Sequence, residues 1–139
     1  MAGREPLALD DDGNLTLTTS SLTVDTHVIT LTVTDSVMER CSDSTVVTVG
    51  TPPSVVIHEP LDGGLAELGQ LVAFSATISD GEDLPSSLGL SWSSSLDGEF
   101  NTDPSDSSGQ AQFAYSELSE GEHAITATVT DTSGLYTSD

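Results

Sequence analysis

The run DGED at residues 80 to 83 places three carboxylates, Asp80, Glu82 and Asp83, within four positions. The glycine among them lets the backbone turn sharply. Oxygen-rich turns of this kind suit a hard cation that takes six to eight oxygen ligands, so calcium is the expected cofactor. Asp131, at the end of a later apolar run, is the fourth candidate ligand. The alternative is that these are ordinary turn acids on an acidic surface, where carboxylates serve solubility.

Other constellations are weaker. Asp10, Asp11 and Asp12 with Gly13 and Asn14, and Asp103 and Asp106 with Gly109, invite comparison with a calcium-binding EF-hand loop, but the spacing fails. Counting from Asp10, Leu15 stands where that loop needs its glycine, and no glutamate stands at position twelve. Both runs read as hairpin or loop connections. His27 and His123 each precede an apolar run, and each imidazole is expected to point inward and hold a turn by a hydrogen bond. His58, the third histidine, falls on a different predicted strand. There is no GxSxG elbow, and no histidine and acid are expected to come together as a hydrolytic site. Carboxylates are too plentiful for any pair to stand out as acid–base catalysts. No catalytic residue is therefore assigned, and the chain reads as non-enzymatic.

The elements that must position these residues follow from composition and pattern. The chain has 139 residues, 35% of them hydrophobic, with 23 acids against two bases, Arg4 and Arg40, and a formal charge of −21. Such a surface repels phosphate backbones and anionic lipid, so nucleic-acid and electrostatic membrane partners are excluded. No segment approaches the roughly 18 apolar residues of a membrane helix. The opening MAGREPLALDDDG lacks the apolar run of a signal peptide; a signal for export is expected outside this chain. Cys41 is the only cysteine, which excludes an intrachain disulfide.

The chain repeats itself. Residues 12 to 43 align without a gap on 108 to 139, matching Gly13 with Gly109, Leu22 with Leu118, His27 with His123, Ile29 with Ile125, Val33 with Val129 and Asp35 with Asp131. A constant offset of 96 residues is longer than solenoid periods and fits a whole small domain. Within the repeat, Ile125, Ala127 and Val129 alternate with Thr126, Thr128 and Thr130, the period-2 pattern of a half-buried strand. The same alternation recurs through Val72, Phe74, Ala76 and Ile78, around Leu90 and Trp92, and through Ala111, Phe113 and Tyr115. Trp92 is expected in the core.

Short strands separated by turn clusters, without helical periodicity, predict an all-β fold: antiparallel, immunoglobulin-like β-sandwich repeats. From the linker TPP at 51–53, strands are expected at 54–59 (A), 71–79 (B), 89–95 (C), 99–103 (C′ or D), 110–116 (E) and 122–131 (F), with G starting near 135. Residues 1–50 are then the back half, strands E, F and G, of a preceding repeat, and 54–139 a repeat lacking most of its last strand. Met1 is expected to be an internal or assigned start of a longer protein, and exchange of strands between chains is the rival account. Leu17, Ile29, Leu31 and Val47 should lie uncovered. Because SVMERCSD at 36–43 lacks the glycine found at Gly134, the first F–G turn is expected to differ from the second. In this strand order the B–C and F–G loops share the linker end, which would bring Asp80, Glu82 and Asp83 towards Asp131.

From about residue 11 onward, VVIHEPLDGG, SWSSSLDG and GEHAITATVTDTSGL resemble the PKD-type and related bacterial immunoglobulin-like (fibronectin-III-like) repeats of large extracellular proteins. The resemblance implies a secreted or cell-surface spacer or adhesion module whose partners are neighbouring repeats and a surface protein or glycan. The rival reading is an accessory carbohydrate-binding module of a secreted hydrolase. An exposed aromatic row would favour that rival; threonine-rich outer faces favour the spacer.

Overall fold

A computed structural model describes residues 9–139; residues 1–8, the opening of the first expected half-repeat, lie outside the described residues. The strands are β1 (Asp25–Thr34), β2 (Arg40–Val49), β3 (Ser54–Glu59), β4 (Val72–Ser79), β5 (Gly89–Ser94), β6 (Gly98–Asn101), β7 (Gln110–Tyr115), β8 (Ile125–Thr130) and β9 (Tyr136–Ser138). One turn of 3-10 helix, Pro85–Ser87, precedes β5. All pairings are antiparallel.

Two sheets built from residues 54–139, ordered β3-β4-β7 and β6-β5-β8-β9, share one core. The arrangement fits a β-sandwich. Alternation decides which side chains enter it: Phe74, Ala76 and Ile78 of β4 meet Leu90 and Trp92 of β5 and Ala127 and Val129 of β8, all buried. Trp92 and Phe74 pack edge to face with centroids 5.7 Å apart, and Phe74 stacks on Phe113 at 4.9 Å. Truncating either Phe74 or Trp92 removes the largest contributions to this thin core, worth about 3–5 kcal/mol each.

Residues 25–49 form a separate two-stranded hairpin, β1-β2, paired from Asp25 opposite Val49 to Thr34 opposite Arg40. Leu17, Ile29, Leu31 and Val47 are exposed, as expected. The expected E strand of this half-repeat is not formed. Residues 14–19, the counterparts of β7, carry no strand. The reason is pairing: β7 hydrogen-bonds only to β4, and among the described residues no strand lies beside 14–19 in the place that β4 takes beside β7.

One five-residue aspartate turn occurs four times. In Asp10–Asn14, Asp35–Glu39, Asp106–Gln110 and Asp131–Leu135, the first N–H donates to the fifth carbonyl at 2.8–3.0 Å. In each, the aspartate Oδ1 accepts the N–H groups two and four residues on. The fourth residue takes positive φ: Gly13 at 84°, Met38 at 68°, Gly109 at 84° and Gly134 at 94°. The first F–G turn therefore does not differ from the second, contrary to the expectation from its missing glycine. The aspartate's hydrogen bonds and the strand ladder offset the roughly 1–2 kcal/mol that a left-handed methionine costs.

Candidate functional site

The linker end of the sandwich gathers the four acids singled out from sequence. Gly81 and Glu82 follow β4, and Glu82 accepts from Oγ1 of Thr51 at 2.7 and 2.9 Å. Asp83 accepts the backbone N–H of Thr132 at 2.9 Å and its hydroxyl at 2.8 Å. The B–C loop thus reaches both the linker and the F–G turn, as the strand order required. Gly50 lies against the same turn; a Cβ there would come within 3.3 Å of Leu135 and 3.5 Å of the Ser133 hydroxyl.

The carboxylates do not point at a common centre. Oδ1 of Asp80 accepts from the N–H groups of Glu82 and Asp83 at 2.8 and 2.7 Å, which shapes its own loop. Asp131 turns into its own turn, accepting the Ser133 N–H and hydroxyl and the Leu135 N–H. Partial burial opposes its charge, but the Ser133 and Leu135 hydrogen bonds outweigh it and hold the carboxyl below the usual 3.8. Among the described residues no three histidine, cysteine or acid side chains are placed to hold a metal. Oδ2 of Asp80 is buried and without a hydrogen-bond partner.

Both repeat-related histidines hold a turn by a hydrogen bond, His123 ahead of β8 as expected and His27 from within β1, where among the described residues no core lies for it to enter. Nε2 of His27 donates to the Thr23 carbonyl at 2.7 Å, and Nε2 of His123 to the Ser119 carbonyl at 2.8 Å. A carbonyl only accepts, so each Nε2 carries the proton. His58 instead pairs with the Thr77 hydroxyl at 2.7 Å on the neighbouring strand.

A histidine and an acid do approach each other at His123. Its Nδ1 lies 2.7 Å from the Ser94 hydroxyl and 3.6 Å from Oδ2 of Asp97. The reason is the turn after β5: the Ser94 hydroxyl accepts from the N–H groups of Leu96 and Asp97, folding Asp97 back over the histidine. This is not the wiring of a nucleophilic triad, where serine and acid occupy opposite ring nitrogens. Here both face Nδ1, Nε2 is spent on a carbonyl, and Ser94 is buried. Hydrogen bonds from the Ser119 side chain and N–H hold Asp97 below 3.8. The group is a polar clasp binding the E–F connection to β5.

Open depressions elsewhere are shallow: one runs along Glu99–Asp103, another past Pro104, Asp106, Gln110 and Gln112. Tyr136 is the one strongly exposed aromatic among the described residues, and Trp92 is fully buried. Sequence reasoning missed Thr51 and Thr132, whose hydroxyls answer Glu82 and Asp83. Threonines are abundant, so only the loop geometry distinguishes these two. No helix among the described residues is long and apolar enough to cross a membrane. No family model, curated protein or solved structure matches this chain.

Proposed function

We propose that the chain is a non-enzymatic spacer and adhesion segment: tandem immunoglobulin-like repeats, similar to PKD-type modules, from a large secreted or cell-surface protein. One observation carries the reading. The join between the first half-repeat and the sandwich is fastened by side chains rather than left as a loose tether, through Thr51 to Glu82 and Gly50 against Ser133 and Leu135. Pro52 and Pro53 add stiffness by fixing φ. A segment that sets the spacing between modules needs such a joint; an enzyme or a freely jointed tail does not. The strand order β3-β4-β7 against β6-β5-β8-β9 supports the immunoglobulin-like assignment.

The accessory glycan-binding reading finds less support, since sugar-stacking sites present several exposed aromatics and Tyr136 stands alone. Calcium stiffening of the joint is a second reading, favoured by the unshared, buried Oδ2 of Asp80. An ion there would recruit Glu82, Asp83 and Asp131 from the hydrogen bonds they now make.

The spacer reading is tested by 15N relaxation on the full chain and on a Thr51→Val/Glu82→Ala double variant. Hairpin and sandwich should tumble together in the former and separately in the latter. Independent tumbling in the unaltered chain would remove the basis for a spacer.

A further inference from the structure

The β1-β2 hairpin lacks partners that its counterpart possesses 96 residues later. In the sandwich, β8 pairs with β9 on one edge and β5 on the other, and its inward residues Ala127 and Val129 are 0% exposed. β1 pairs with β2 alone, and Leu31 and Val33, in the same places, are 48% and 55% exposed.

Two polar groups on the hairpin are missing matching partners. Nδ1 of His123 receives the Ser94 hydroxyl of β5, whereas Nδ1 of His27 has no hydrogen-bond partner among the described residues. Asp43 stands directly opposite Leu31 and so on the same, apolar face. Its counterpart, Asp139, exchanges backbone hydrogen bonds with Ala127 and takes the Ile57 N–H of β3 on its Oδ2 at 2.7 Å. The Asp43 carboxylate meets only the N–H of its neighbour Ser44. Gly13 agrees: a Cβ on Gly109 would lie 2.2 Å from the Ile78 carbonyl of β4, while one on Gly13 would meet nothing.

We propose that the exposed face and free edge of the hairpin are a docking site for one occupant, a half-sandwich of this same repeat class. This rests on the reading of the chain as repeats. The occupant's middle strand runs antiparallel along β1, as β5 runs along β8. It presents a hydroxyl to His27 and, opposite Leu31, a side chain smaller than tryptophan, because leucine fills space that Ala127 leaves to Trp92. Its first strand gives a backbone N–H to Asp43. A second copy joined edge to edge through β1 fits worse: it would bring together two chains of charge −21 and leave both Asp43 carboxylates against apolar surface.

The test is amide hydrogen exchange on the full chain and on the chain carrying a copy of residues 54–105 ahead of Asp10. The extended chain is made with Leu31 and with Leu31→Ala, the latter restoring the small residue found at Ala127. The outer-edge amides of β1 should exchange about tenfold or more slowly in an extended form, most in the Leu31→Ala version, and Leu31→Asp should abolish the gain. Unprotected β1 in both extended forms overturns the proposal. So does an unextended chain that sediments as a dimer with β1 already protected, which would make a second copy the occupant. Joint rigidity is read separately by relaxation, so loss of the spacer reading leaves this result interpretable.

Discussion

Nδ1 of His123 and Oγ of Ser94, 29 residues apart in sequence, meet at 2.7 Å and close the E–F connection onto β5. With Nε2 spent on a carbonyl, Nδ1 accepts the Ser94 O–H inside a partly buried pocket, so removing the imidazole leaves that O–H without its acceptor. His123→Ala should lower the stability of the sandwich by about 1–3 kcal/mol. Urea unfolding followed by Trp92 fluorescence measures it. His27→Ala should leave that transition in place, because His27 lies on the separate hairpin.

Gly109 and Gly13 share a turn type but not a neighbourhood. Gly109→Ala combines a left-handed alanine with a Cβ 2.2 Å from the Ile78 carbonyl, and should cost about 3 kcal/mol or more. Gly13→Ala carries only the backbone penalty, about 1–2 kcal/mol, confined to its own loop. The Trp92 transition should shift for the first variant and stay for the second.

Acid should weaken the sandwich through its turn aspartates. The folded values of Asp97, Asp106 and Asp131 lie below 3.8, chiefly through hydrogen bonds from Ser119 to Asp97 and from Ser108 and Gln110 to Asp106, with the Ser133 bonds overcoming burial at Asp131. A depressed folded value stabilises fully above the unfolded value and is lost as pH falls through the folded one. The urea midpoint should therefore hold from pH 7 to about 5 and drop below about 4. Asp106→Asn should start lower at pH 7 and fall less steeply.

The calcium reading makes its own demand. Calcium at 100 times its dissociation constant should stabilise residues 51–139 within the full chain by about 2.7 kcal/mol, and a chelator should reverse it. Asp83→Asn should abolish the shift. An unchanged melting temperature would leave Glu82 and Asp83 as hydrogen-bond acceptors for Thr51 and Thr132 alone.

Most strands were legible because each carries its own signal. Phe74, Ala76 and Ile78 alternate with polar residues, and β3 runs over the same six residues the pattern marks. Residues 14–19 carry an equally good strand pattern and form none, since a strand also needs a neighbour that no local pattern encodes. Met38 misled for a related reason: residue type marks where glycine is easiest, while Asp35, three positions earlier, fixes the turn. At the candidate site the sequence located the loops that meet but not what their acids do there. Spacing reports that Asp80, Glu82 and Asp83 lie close together and not which way each points, so the hydrogen bonds of Glu82 to Thr51 and of Asp83 to Thr132 could not be read from it. Asp97 escaped notice because its approach to His123 depends on the fold of the turn after Ser94.

The Asp139–Ile57 hydrogen bond has a mechanical side. β3 and β9 both leave the linker end and run the same way, so a chain pulled between Thr51 and Asp139 slides one strand lengthwise along the other. Sliding strains the β3–β4 rungs and the core contacts beneath them together, rather than opening rungs one at a time from a free end. Survival under tension is then set by the barrier to that concerted slip, which is a rate and not an equilibrium stability. A sandwich drawn taut in this way would hold its length until it yields as a unit.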